Sequence, residues 1–248
     1  MNLLVLTLSS QFKEEMVEKT YFNRALSSLT SKYPGLRKDL KELKTNKREA
    51  LKLFRWVLLG DIKKNIREYH FFLNGIIAKT LALLDSLVTE LDKQNPYTSN
   101  MILRAQYESL AAVHYYGAHP EKSQNLTFGE RFTKKDETPI EAVHVNDMIK
   151  ELEKNAPKTW DVWKDIDNMS NIIHPNKQSH QANITPKQEG VFEFSSQCSM
   201  DENQIKNLLK ASNNLVTSIL NGVSDVDEWF VKNLKITKQI PQKKEVIK

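Results

Sequence analysis

Between Asp61 and Lys93 apolar side chains recur in alternating steps of three and four: Ile62, Ile66, Tyr69, Leu73, Ile76/Ile77, Leu81, Leu84, Leu87/Val88 and Leu91. That period fits one face of an α-helix. At 1.5 Å per residue such a helix is about 50 Å long, so its apolar stripe must be buried against partners of similar length. The chain supplies them. Leu36, Leu40, Leu43, Leu51, Phe54 and Leu58 form a stripe over 36–59 that only Lys47 interrupts, and the two segments are expected to pair as an antiparallel hairpin. Gly75 is read as a place for a close crossing or a slight kink. Near the C-terminus, Ile205, Leu208/Leu209, Leu215/Val216, Ile219/Leu220 and Val223 repeat the pattern, and Trp229 and Phe230 extend it. Ser199-x-x-Glu202 has the spacing of a capping box for that helix. Seven glycines and eight prolines in 248 residues leave little material for turns. The expected fold class is all-α: a multi-helix bundle with long antiparallel helices.

The remaining segments fit this frame. Residues 11–31 read as a first helix, broken by Pro34-Gly35. Asn95-Pro96 reads as a loop, with Thr98 or Ser99 capping the next helix. Residues 101–116 are apolar nearly all round, so that helix is placed centrally. Residues 117–139 are polar and read as a lid or a wrapped loop. A weaker helix over 140–155 leaves His144 exposed. One exception to helix is expected: period-two alternation in 182–185 and 191–194 around Pro186–Gly190 predicts a small β-hairpin insertion near 182–195. The chain thus divides into an N-terminal helical arm (1–59), a helical core (60–234) and a basic flexible tail (235–248).

Several function classes are excluded. Cys198 is the lone cysteine, which rules out a disulfide within the chain and a thiolate zinc cluster and fits a reducing compartment. The apolar run Leu3–Leu8 is too short to span a bilayer. The longer segment Phe71–Val88 is broken by Asn74, Lys79 and Asp85 and reads as a buried helix. A cytoplasmic protein with no membrane partner is expected. No glycine-rich phosphate loop and no H-E-x-x-H occur. His114 and His119 are five apart and straddle a helix end, and His174 and His180 have no carboxylate at a diagnostic spacing. No metal site and no cofactor are expected. Asp167, Ser170 and His174 share one short helix, where a hydrolase nucleophile cannot adopt its strained geometry.

Charge is uneven. Net charge is +5, yet twelve Lys or Arg stand against four Asp or Glu between Lys32 and Arg67. On the helix over 36–59, Arg37, Lys41, Lys44, Arg48, Lys52 and Arg55 share an arc about 80° wide and about 27 Å long. Asp39, Glu42 and Glu49 fall on another side. The stripe is either a solvated face, a charged seam beside a helix contact, or a track for a phosphate backbone.

Two further segments carry candidate chemistry. In Trp160–Asn176, WDVWKDIDNMSNIIHPN, the residues Trp163, Asp167, Ser170 and His174 form one stripe. Pro175 disfavours helix for the residue before it, so His174 sits at the helix's C-terminal edge. There the helix dipole favours a cation, and Asp167 lies on the same stripe. His174 is then either an acid or base, or a cap packed on tryptophan. On the central helix Arg104, Glu108, Ala111 and Tyr115 share a stripe. Arg104 and Glu108 are four apart and can pair, either to hold the bundle or to leave Arg104 gripping a ligand beside small Ala111.

The helix carrying RAQYES (Arg104, Glu108), the helix ending SNIIHPN, the hairpin and the long final helix together resemble an uncharacterised all-helical bacterial family similar to the HEPN superfamily. The likeness covers roughly residues 60–230. It implies a metal-independent RNase acting in toxin–antitoxin, abortive-infection or other antiviral defence systems, RNA as substrate, a homodimer, and an antitoxin or defence-system partner protein. The superfamily signature is an Arg, four to six residues, then a His. His174 matches the His; Met169, Asn168 and Asp167 occupy the Arg positions. Arg104 is therefore expected to substitute from the neighbouring helix. In that reading His174, Arg104, Glu108 and Ser170 are catalytic, and Asn171, Tyr115 and the six-cation stripe hold substrate. The alternative is a non-catalytic helical module that binds nucleic acid, a nucleotide or a protein.

Overall fold

The computed structural model describes residues 21–59, 68–119, 143–158, 160–173, 184–188, 191–194 and 200–233. Residues 11–20 of the expected first helix, loop residues 120–139, His174, Ser199 and the tail from 235 lie outside them. The described fold is all-α. Helices are α1 (21–32), α2 (Arg37–Leu59), α3 (Glu68–Asp92), α4 (Pro96–Ala118), α5 (Val145–Asn155), α6 (Val162–Ile173) and α7 (Glu202–Asn233). A 3-10 turn, Pro34–Leu36, separates α1 from α2. Ile184–Gln188 and Val191–Phe194 pair antiparallel, with Ile184 opposite Phe194.

Helix starts differ from the sequence reading in two places, for one reason: a short polar side chain caps earlier than the apolar pattern suggests. α4 begins at Pro96, not near Thr98. Asn95 is its N-cap, with the Thr98 amide donating to Asn95 Oδ1 at 3.2 Å, and proline fits the first helical position because its missing N–H is not needed there. At α7 the capping box is Asp201 and Gln204, not Ser199 and Glu202. The Gln204 amide donates to Asp201 Oδ1 at 2.8 Å and the Asp201 amide to Gln204 Oε1 at 2.9 Å, which satisfies two orphan donors reciprocally.

The chain forms two compact units, each assembled from three separated pieces: residues up to 44 with 82–105 and 165–213, and 45–81 with 106–164 and 214 onward. In the first unit Leu29, Leu36, Leu43, Leu84, Leu87, Val88, Leu91, Ile205 and Leu209 are buried, each with 3% exposure or less. The end of α1 grips the end of α3. Ser28 Oγ donates to Asp92 Oδ1 at 2.7 Å, and Lys32 Nζ approaches the same oxygen at 2.8 Å. Gln94 follows in the left-handed region, φ 56°, and its amide side chain donates to the Tyr33 hydroxyl. Farther along, Asn213 Nδ2 donates to the Asp39 carbonyl at 3.0 Å.

In the second unit the core is Leu73, Ile77, Leu110, Val113, Leu152, Val162, Val216, Ile219, Val223 and Phe230. The part of α2 in this unit buries Ala50 and Val57, whereas Leu51 and Phe54 are half-exposed. The steps 36, 40, 43, 47, 50, 54, 57 keep a strict seven-residue repeat, which places Lys47 within the stripe and turns Leu51 off it. Phe72 and Tyr116 meet edge to face with centroids 4.7 Å apart. The segment Phe72–Asp92 is long and apolar enough to cross a membrane by length and composition. Its Leu73, Ile77, Leu84, Leu87, Val88 and Leu91 are fully buried in protein.

The close helix approach is at Gly222, not at Gly75. A Cβ on Gly222 would stand 2.6 Å from Val113 Cγ1, whereas one on Gly75 would meet nothing within 4 Å. Val113 is buried and β-branched, so it cannot rotate away inside its helix. Gly75→Ala is therefore expected to stabilise the protein by about 1 kcal/mol through helix propensity. Gly222→Ala is expected to destabilise it, because overpacking of roughly 1–3 kcal/mol exceeds that gain. Urea midpoints of the two variants moving in the same direction would contradict this.

Candidate functional site

Arg104 lies in the first unit on α4 and is half-buried. Its Nη1–H donates to Ser170 Oγ on α6 at 2.9 Å. Ser170 in turn donates its hydroxyl proton to the Ile166 carbonyl, one turn back, at 2.7 Å. The hydroxyl is thus fully oriented: its proton points into its own helix and a lone pair faces the guanidinium. Ser170 thereby contacts Arg104 directly. Ile166 and Met169 are buried, which fixes the rotation of α6 and so the direction of Ser170. Asp161 sets the start of α6, its Oδ1 accepting from the Lys164 amide at 3.0 Å.

Arg104 and Ser170, distant in sequence, are therefore in contact. Asn171 follows on α6 and is exposed. His174 follows the last described helical residue, Ile173, and lies outside the described residues. Glu108 and Tyr115 belong to the second unit. Glu108 is half-buried there. Tyr115 is 7% exposed, its ring 5.3 Å from Tyr116 and 4.8 Å from His119 between centroids. The nearby tryptophans are satisfied by partners of their own: Trp160 Nε1 donates to the Tyr107 hydroxyl at 3.0 Å, and Trp163 Nε1 to Glu153 Oε2 at 3.0 Å.

All six cations of the α2 stripe are exposed: Arg37, Lys41 and Lys44 in the first unit, Arg48, Lys52 and Arg55 in the second. The acids are not all kept apart. Glu49 reaches Lys52 at 2.8 Å and Arg48 at 3.6 Å. The bond from Lys52 holds the Glu49 carboxyl below its ordinary range. Arg48 and Lys52 share one neutralising partner, and Arg37, Lys44 and Arg55 form no ion pair with another described residue. Asp39 is buried on the inner side.

Among the described residues no group of three or more His, Cys, Asp or Glu is placed to hold a metal. A further concavity, in the second unit, has Trp56 and Trp229 on its walls with Asp225 and Glu228 beside them. The apolar period of α7 does not announce it. Asp225, Glu228, Trp229 and Lys232 are the residues that the core-facing stripe leaves over, and their own spacing of three, four and seven is the signal that could have found them.

His114 is half-buried in the second unit, and burial depresses its basicity below the ordinary value of 6.5, with the Asp225 charge opposing. The folded state therefore binds a proton less readily than the unfolded chain. Stability from this source is complete above about pH 6.5 and declines as the pH falls below it. His114→Gln is expected to flatten the slope of unfolding free energy below about pH 6.5; an unchanged slope would contradict the assignment. Compared with known proteins, the chain matches no family model, no curated protein and no solved structure.

Proposed function

We propose that this protein is a HEPN-like, metal-independent RNase, a toxin or defence effector in which Arg104 serves the role of the missing motif arginine. The observation that carries the reading is the Arg104–Ser170 hydrogen bond. It brings a guanidinium to the helix whose sequence runs directly into His174. In the reaction His174 takes the proton of an RNA 2′-hydroxyl, and that oxygen bonds to the adjacent phosphorus. The bond from phosphorus to the 5′-oxygen breaks, and that oxygen takes up a proton, either from the now protonated His174 or from solvent water, giving a 2′,3′-cyclic phosphate and a 5′-hydroxyl. Arg104 stabilises the charge that builds on the phosphoryl oxygens. Ser170 is a positioning residue for Arg104, Glu108 a further anchor one turn along α4, and Asn171 a phosphate contact. The reading carries with it a homodimer, a cytoplasmic site of action and a partner protein that restrains the activity. The paired strands are read as a small insertion between α6 and α7.

Induced expression in a bacterium is expected to arrest growth and fragment RNA, and His174→Ala to abolish both. Purified protein should cleave RNA in EDTA. Arg104→Lys keeps the charge but not the planar fork and should lose about 10²–10³-fold in kcat. A His174→Ala variant as active as the parent ends the proposal.

A second reading, a non-catalytic RNA-binding module, is favoured by the exposed α2 stripe alone. Arg37, Lys44 and Arg55 give about three phosphate contacts, so the slope of log affinity against log salt for single-stranded RNA should be about −2. A slope near zero removes RNA from both readings.

A further inference from the structure

We propose that the concavity beside the end of α7 binds a linear polyamine, an organic polycation with apolar spacers. The space measures about 660 Å³, within the range of ligand sites, about 300–1,000 Å³. All its described walls belong to the second unit. Asp225, Glu228, Trp229 and Lys232 form one outward stripe on the last turns of α7, and Trp56, near the end of α2, stands on the other wall. Asp227 backs the space from a buried position.

Two observations of different kinds converge. First, Trp56 and Trp229 are 41% and 43% exposed, two of the few large apolar side chains the described surface leaves in water. Trp229 meets buried Phe230 edge to face with centroids 5.1 Å apart, so one edge of its ring rests on protein. Second, three carboxylates line the same space against one ammonium, that of Lys232, in a chain that is otherwise net basic. Indole faces attract cations through the ring quadrupole and cover methylene chains by contact. Carboxylates beside them select charge. Small inorganic cations use only the second feature and neutral apolar ligands only the first; a polyamine uses both.

The test is calorimetric titration of the full-length protein with spermidine, with magnesium chloride and a lysine-rich peptide of equal charge as comparison arms. Saturable binding of spermidine is expected, with magnesium binding much more weakly at equal charge concentration. Asp225→Asn/Glu228→Gln and, separately, Trp229→Ala should each weaken spermidine at least about tenfold. These residues are exposed, so the variants should keep the parent far-UV circular dichroism. A variant that loses that signal is replaced by Trp229→Phe, which keeps a ring and should retain most of the affinity. No saturable binding, equal response to magnesium, tighter binding of the peptide, or variants that bind spermidine like the parent would each overturn the proposal. His174→Ala should leave spermidine binding unchanged, so failure of the RNase reading and failure of this one are told apart.

Discussion

A helix buried on nearly every side leaves its polar side chains one route to stability, a partner inside the protein. α4 is such a helix: Ile102, Leu103, Gln106, Tyr107, Ser109, Leu110, Ala111, Val113, Tyr115 and Tyr116 are all buried. Arg104 meets this demand through Ser170, and Tyr107 by accepting from the Trp160 indole. A guanidinium left without such a bond in a partly desolvated position would cost several kcal/mol. The serine that supplies it does so at little conformational cost, because the bond to the Ile166 carbonyl already fixes its rotamer. Gln106 shows the opposite case: its side-chain amide is fully buried, and among the described residues neither of its polar atoms has a hydrogen-bond partner, a burden of about 1–3 kcal/mol.

Electrostatics on α2 is organised by rotation rather than by sequence blocks. The seven-residue repeat from Leu36 to Val57 turns one side of the helix inward, and the six cations emerge well away from it. Exposed pairs such as Glu49 with Lys52 are worth little in stability. Their effect is on the field: Glu49 mutes the stripe at Arg48 and Lys52 and leaves Arg37, Lys44 and Arg55 as its stronger points.

Helix existence and type were legible because long stripes repeat for many turns, and burial of Leu84, Leu91, Ile205 and Ile219 follows from that period alone. Starts were less legible. Asn95 and Asp201 win as caps because their carboxamide and carboxylate reach back to the third amide of the helix, which apolar spacing does not encode. The swap of Leu51 for Ala50 in the core of α2 came from counting a large residue over a small one at a position the repeat assigns to alanine. Pairing Arg104 with the helix that leads to His174 was legible as an expectation because a guanidinium in an apolar helix needs a partner. The identity of that partner's role was not. Ser170 carries the residue type of a phosphate contact, and its bonds to Arg104 and to the Ile166 carbonyl follow from the rotation of α6, which residue type alone does not encode.

The elbow between α3 and α4 sets more than a change of direction. Gln94 and Asn95 make the turn, Lys32 at the end of α1 and Tyr33 just after it clamp it, and Asn95 fixes the first turn of α4. Helical phase is counted from that clamp. One residue inserted after Asn95 would turn everything downstream by about 100° and sweep the guanidinium nine positions later off the hydroxyl it meets. The length of this elbow, which touches no candidate site, is thereby as constrained as any side chain within one.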